Sequence, residues 1–187
     1  MNPPPQSRLV AQARLPTPLG PMTAAATAHG IAGLWFDGQA HHPGALDAPT
    51  DAQQRWLQAL RAQIDAYFAQ GTTGFAFDLP LDLAGSPLQR AVWQALAAIP
   101  HGERLSYGEL ARRVGRPSAV RAVAGAVARN PVSIVVPCHR VVGHDGALTG
   151  YAGGIDRKRA LLDLESTARA APPLRPRPGA GAPARAP

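Results

Sequence analysis

Among the 187 residues there is one cysteine, Cys138. That count removes the covalent routes to a fold. No intramolecular disulfide can form, and no Cys-rich zinc site can hold the chain together. Buried apolar surface must do it, and 45% hydrophobic residues are enough for a core and too many for wholesale disorder. The length allows one domain or two small ones. No apolar run approaches the ~18 residues of a membrane span, and the start, MNPPPQSR, lacks the apolar core of a signal peptide. The expectation is a cytoplasmic protein without membrane contact.

The net charge of +7 is unevenly spread. Residues 1–85 carry −2, residues 86–165 carry +5 and residues 166–187 carry +4. A basic second half fits a polyanionic partner, and on charge alone it fits a solvated basic face equally well. The Ala, Pro, Gly and Arg of residues 166–187, and residues 1–7, have little to bury and are expected to be disordered.

Local signals divide the remainder at residue 86. In residues 8–85, Thr17-Pro18-Leu19-Gly20-Pro21 is a turn, and Met22–Thr27 and Ile31–Phe36 form an antiparallel hairpin around the Gly30 break. Trp56, Leu57, Leu60, Ile64, Tyr67 and Phe68 make one helical stripe, with Gly71 placed to cap it. Phe75, Phe77 and Leu79 alternate as a strand would. This predicts a small α/β domain. In residues 86–165, Ser86-Pro87 starts a helix. Ser106 starts a short one, and another runs over about residues 118–129 after the Gly115-Arg116-Pro117 turn. Two short helices about a tight turn in a basic region fit a helix-turn-helix or an ordinary helical hairpin. The outer face of the later helix offers Arg121 with Ala122, Gly125 and Ala126, too little to read base edges in a major groove.

Ser133-Ile134-Val135-Val136 has the composition of a buried strand leading to Pro137-Cys138-His139-Arg140. A lone cysteine can be a small core residue or a nucleophile. A nucleophilic thiol needs a nearby imidazole oriented by a carboxylate. Here that means His139 and a later acid, and adjacent strand residues point to opposite faces, so coupling would require irregular backbone.

The segment Ile134-Val135-Val136-Pro137-Cys138-His139-Arg140-Val141-Val142 resembles the active-site signature of the methylated-DNA–protein-cysteine methyltransferases, the O6-alkylguanine-DNA alkyltransferases. The stretches beginning at Arg104, Ala119, Asn130, Gly150 and Leu161 resemble further motifs of that family in the same order. So do Thr17-Pro18-Leu19-Gly20-Pro21 and Gly33-Leu34-Trp35-Phe36. The resemblance implies an α+β protein with a small N-terminal α/β domain and a C-terminal winged helix-turn-helix-like domain. It implies one irreversible transfer of an alkyl group from O6 of guanine, and from O4 of thymine, to Cys138. By the same resemblance Glu165 orients His139, which takes the Cys138 proton through a water. Tyr107 hydrogen-bonds the base, and Asn130 ties the recognition helix to the active-site strand. Arg121 fills the vacated stack, with Arg116, Ala122 and Gly125 on the DNA face. Val141, Tyr151, Ala152 and Gly153 form the base pocket, Gly153 leaving room in it. The implied partner is double-stranded DNA met through its minor groove by a monomer without cofactor or metal. Some relatives bind zinc in the N-terminal domain through Cys and His, but no cysteine stands there, so His29, His41 and His42 are expected to be surface residues. A non-catalytic DNA binder and a thiol hydrolase using Cys138, His139 and Glu165 are the competing functions.

Overall fold

The computed structural model describes residues 8–70 and 75–170. The two segments expected to be disordered, apart from the start of the tail, lie outside the described residues, as does Gly71. The N-terminal half is a meander of β1 (Leu9–Leu15), β2 (Met22–Thr27) and β3 (Ile31–Phe36), antiparallel in the order β1-β2-β3. In β1 the inward residues Leu9, Ala11, Ala13 and Leu15 alternate with exposed or half-buried ones, the period-2 pattern of a half-buried strand. The hairpin expectation holds. In β3, Trp35 lies across Gly33, where a Cβ would stand 1.7 Å from its ring, so only glycine permits that close approach.

Helix α1 (Arg55–Gln70) lays Leu57, Leu60, Ile64 and Tyr67 on the sheet. The strand expected at Phe75, Phe77 and Leu79 does not pair as one. The side chain of Gln63 takes the place of a neighbouring strand: its Nε2 donates to the Asp78 carbonyl and its Oε1 accepts from Asp78 N–H, each at 2.8 Å. The chain then meets the edge of β3 at one bridge, Ile31 to Leu81.

The second half holds α2 (Pro87–Ala97), α3 (Tyr107–Arg113), α4 (Val120–Ala128) and α5 (Ile155–Ala170). Ser86 caps α2 and Ser106 caps α3, each in a reciprocal capping box, with Gln89 and Glu109 respectively. Helix α5 continues to Ala170, past the expected domain end at residue 165. Among the described residues, the strands of this half are β4 (Leu105–Ser106) and β5 (Val141–Val142), a parallel pair. Ala126, expected on the outer face of α4, is buried, and its carbonyl accepts from Trp93 Nε1 at 3.0 Å. Arg121 and Ala122 do face outward.

One apolar core spans both halves. Backbone bonds also cross between them: Leu34 N–H donates to the Pro131 carbonyl, and Ser133 N–H donates to that of Leu34, each at 2.8 Å. Gln39 Oε1 accepts from Phe36 N–H at 2.9 Å and from Ser133 Oγ at 3.1 Å, so a buried amide joins the two halves. Among the described residues no helix is long and apolar enough to cross a membrane.

Candidate active site

The segment expected as a buried strand before Cys138 is instead a run of turns. Ile134 sits at φ 72°, a left-handed conformation that costs a β-branched residue about 1–3 kcal/mol. Val132, bridged to Leu34, and the long-range backbone bond from Ser133 to Leu34 hold the segment there. The chain then turns through a short 3-10 helix, Cys138–Arg140. This is irregular backbone of the kind that coupling Cys138 to His139 would require, since in it successive side chains no longer alternate.

Cys138 is buried at the wall of a cavity of about 320 Å³, lined also by Tyr107, Ala124, Val127, Gly150, Tyr151 and Ala152. Asn130 follows the end of α4 and is itself buried. Its Nδ2 donates to Cys138 Sγ at 3.1 Å and to the Val136 carbonyl at 2.7 Å, and its Oδ1 accepts from Val132 N–H. The amide thus joins α4 to the cysteine turn and offers the sulfur a donor. Burial pushes the Cys138 thiol up to about 11, against the opposing effects of Asn130 and the Lys158 charge. Such a thiol is about one part in ten thousand ionised at pH 7, so a reaction through it requires a base.

His139 is fully buried, and its Nε2 lies 2.9 Å from Glu165 Oε1. An ionised carboxylate only accepts, so Nε2 carries the proton and Nδ1 is left as the basic nitrogen. Nδ1 has no hydrogen-bond partner among the described residues. Burial holds the imidazole below its ordinary value despite the Glu165 charge. Glu165 is buried, which pushes its carboxyl up. Hydrogen bonds and charge from His139 and Arg140 outweigh that and hold it well below the usual carboxylate range. Arg140 grips it with two bonds, Nε to Oε2 and Nη2 to Oε1, both 2.9 Å, while Nη1 donates to the Ile99 carbonyl. The guanidinium and the carboxylate cancel, so a neutral imidazole sits beside a neutralised pair.

Tyr107, at the start of α3, donates to the Gly150 carbonyl at 3.4 Å. Burial and the nearby Cys138 raise its phenol. Arg116 and Arg121 are exposed, and Gly125, half-buried, accepts from Arg129 Nη1 at 2.9 Å. Two residues named for the pocket pack closely beside it. Val141 is buried in β5, and its carbonyl accepts from Lys158 Nζ at 2.5 Å. At Gly153 a Cβ would stand 2.6 Å from the Tyr151 ring and 3.1 Å from that of Phe36, so the glycine seats those rings.

Sequence reasoning left several site groups without roles. Arg140 was visible beside the cysteine, but its grip on Glu165 was not. Lys158, wholly buried, donates to the Val141 and Thr149 carbonyls. Tyr67 was legible as a helix-stripe residue only, yet its hydroxyl donates to Glu165 Oε1 at 2.8 Å. Ala40 and His41, from the loop after β3, line the cavity, where Ala40 N–H donates to the Ala152 carbonyl at 2.9 Å. His41 is exposed, as expected of a surface residue, but stands at the cavity mouth.

Comparison with known proteins bears on the same two halves. Residues 11–83 match the 6-O-methylguanine DNA methyltransferase ribonuclease-like domain, and residues 87–167 match the DNA binding domain of the same proteins. The methylated-DNA–protein-cysteine methyltransferase of Mycobacterium tuberculosis is 45% identical over 151 residues, covering 81% of this chain and 89% of that protein. The protein of the same name from Haemophilus influenzae is 40% identical over 150 residues, 80% of this chain and 83% of the other. The crystal structure of Mycobacterium tuberculosis OGT in complex with DNA superposes with a TM-score of 0.77 at 43% identity, covering 85% of this chain and 94% of that one. With both halves matched in order and the cysteine turn between α4 and α5, the chain belongs to the 6-O-methylguanine DNA methyltransferases, the methylated-DNA–protein-cysteine methyltransferase family.

Proposed function

We propose that this protein repairs DNA directly, by moving an alkyl group from O6 of guanine to Cys138. The observation that carries the reading is a buried thiol at the wall of a cavity, with a His139–Glu165 pair behind it and Tyr107 beside it. A base inside a duplex cannot reach such a thiol, so the damaged nucleotide is turned out of the stack into the cavity. Helix α4 meets the minor groove with its small-residue face, exposed at Ala122 and half-buried at Gly125. Arg121 enters the vacated stack, and Arg116 supports the contact from the preceding turn. The protein acts as a monomer.

His139 Nδ1 takes the Cys138 proton through a bridging water, and Glu165 steadies the imidazolium. The thiolate attacks the alkyl carbon; the C–S bond forms as the C–O bond breaks. Negative charge develops on the departing purine, the Tyr107 hydroxyl stabilises it by hydrogen bonding, and the proton taken by His139 returns through water, leaving neutral guanine and neutral imidazole. The backbone at Ala152 and the ring of Tyr151 hold the base. O4-alkylthymine presents the same ether carbon and is a second substrate. The thioether does not turn over, so each molecule reacts once.

A duplex oligonucleotide carrying O6-methylguanine tests this. Mixed with one equivalent of protein, it should yield restored guanine and S-methylcysteine at position 138 in a one-to-one burst, read by mass spectrometry. Cys138→Ala should bind the duplex and transfer nothing. Repeated turnover, or transfer by Cys138→Ala, would refute the reading. Ester or peptide turnover would identify a hydrolase instead.

A further inference from the structure

Tyr67 belongs to α1 in the N-terminal half, yet it is as close to the buried carboxylate as His139 is. Its side chain is 1% exposed. Phe68, Phe75, Phe77 and His101 surround the ring, with centroids 5.2 to 6.0 Å away. Phenylalanine would fill this aromatic cage equally well. The hydroxyl is the difference, and a buried hydroxyl needs a partner. That partner is Glu165 Oε1, at 2.8 Å across 98 residues of sequence. Oε1 also accepts from His139 Nε2 and Arg140 Nη2, while Oε2 accepts from Arg140 Nε and, at 3.3 Å, from Gly102 N–H. Tyr67 and His139 therefore draw on one oxygen.

We propose that Tyr67 is a positioning residue for alkyl transfer, through which the N-terminal half sets the orientation of Glu165 and the basicity of His139. This rests on the alkyl-transfer reading of the site. The direction follows from charge. A donor at Oε1 withdraws electron density from the oxygen that would stabilise a His139 imidazolium, so it keeps the ring neutral to lower pH. The other groups facing this pair are His101, whose Nδ1 is 3.9 Å from Oε1, Arg140 from the 3-10 turn, and Lys158 from α5, whose charge also acts on His139. Among the described donors to Glu165, Tyr67 alone comes from the N-terminal half. Its phenol is itself held well above the ordinary value by burial and by Glu165, so it remains a donor throughout the working range.

The test uses the full chain with Tyr67→Phe and measures single-turnover transfer from O6-methylguanine duplex between pH 4.5 and 8. Lost hydroxyl donation should move the acid limb of the rate profile upward by about half a pH unit or more, about threefold in the protonation equilibrium. The plateau rate above pH 7.5 should stay within about twofold. Phe68→Leu, a neighbouring packing change, should lower the melting temperature and leave the limb in place. Superimposable profiles for wild type and Tyr67→Phe overturn the proposal. So does a uniform fall at every pH, or an equal limb shift in Phe68→Leu. Failure of the wild-type protein to transfer at all would overturn the functional reading instead.

Discussion

Replacing Arg140 with methionine should unmake the site through Glu165. The guanidinium makes two 2.9 Å bonds to a carboxylate that is 1% exposed, and a third to the Ile99 carbonyl. Methionine fills much of the same volume, so packing loss is secondary. What remains is a buried carboxylate served by Tyr67, His139 and Gly102 with no permanent countercharge. Breaking a buried pair by removing one partner costs about 3–5 kcal/mol. At ~2–4 °C per kcal/mol for a chain of this size, the melting temperature should fall by about 6–20 °C at pH 7.

The pH dependence gives a sharper check. In the wild type Glu165 is held below its unfolded value of 4.5, so its contribution is present at neutral pH and is lost only as pH falls through the depressed folded value. Without Arg140, burial should dominate and push the carboxyl above 4.5. The folded variant would then take up a proton before the unfolded chain does, and the deficit should shrink between pH 7 and pH 5. Urea unfolding of both proteins at the two pH values measures this. A loss under about 1 kcal/mol at pH 7, or an equal loss at both pH values, would refute the reasoning.

Two further outcomes follow from the site. Arg121→Ala should slow transfer from duplex DNA by about tenfold or more while leaving transfer from free O6-benzylguanine within about twofold, because only the duplex reaction needs a filled stack; equal effects on both would place Arg121 in the chemistry instead. Alkylation of Cys138 by iodoacetamide should accelerate with pH up to about 11 rather than about 9. Asn130→Ala should move that rise higher still, since it deletes the 3.1 Å donor to sulfur, and a shift downward would contradict the assignment.

The starts of α2 and α3 were legible because capping is local: Ser86 with Gln89 and Ser106 with Glu109 satisfy each other three residues apart. The α1 stripe was legible for the same reason, as a periodicity of neighbouring side chains, and the β2–β3 hairpin by the break at Gly30 between its strands. The lone cysteine and its motif pointed to thiol chemistry before any coordinate did. Composition misled where distant contacts overrode it. Ser133 to Val136 has strand residues, but bonds to Leu34 from another half of the chain and the left-handed Ile134 make it turns. Phe75, Phe77 and Leu79 alternate as a strand does, but Gln63 supplies the pairing at Asp78. That Gly153 seats the rings of Tyr151 and Phe36 was not legible either, because Phe36 comes from the other half of the chain.

Sequence alone therefore determined where the lone thiol, Cys138, stands and where the capped helices begin, since both depend on residue type and short spacing. The tertiary structure decided what surrounds that thiol. Glu165 gathers Tyr67, Gly102, His139 and Arg140 from segments up to 98 residues apart. A carboxylate leaves no periodic trace of donors that reach it from so far along the chain, because only the shared core of the two halves brings them within 3.3 Å.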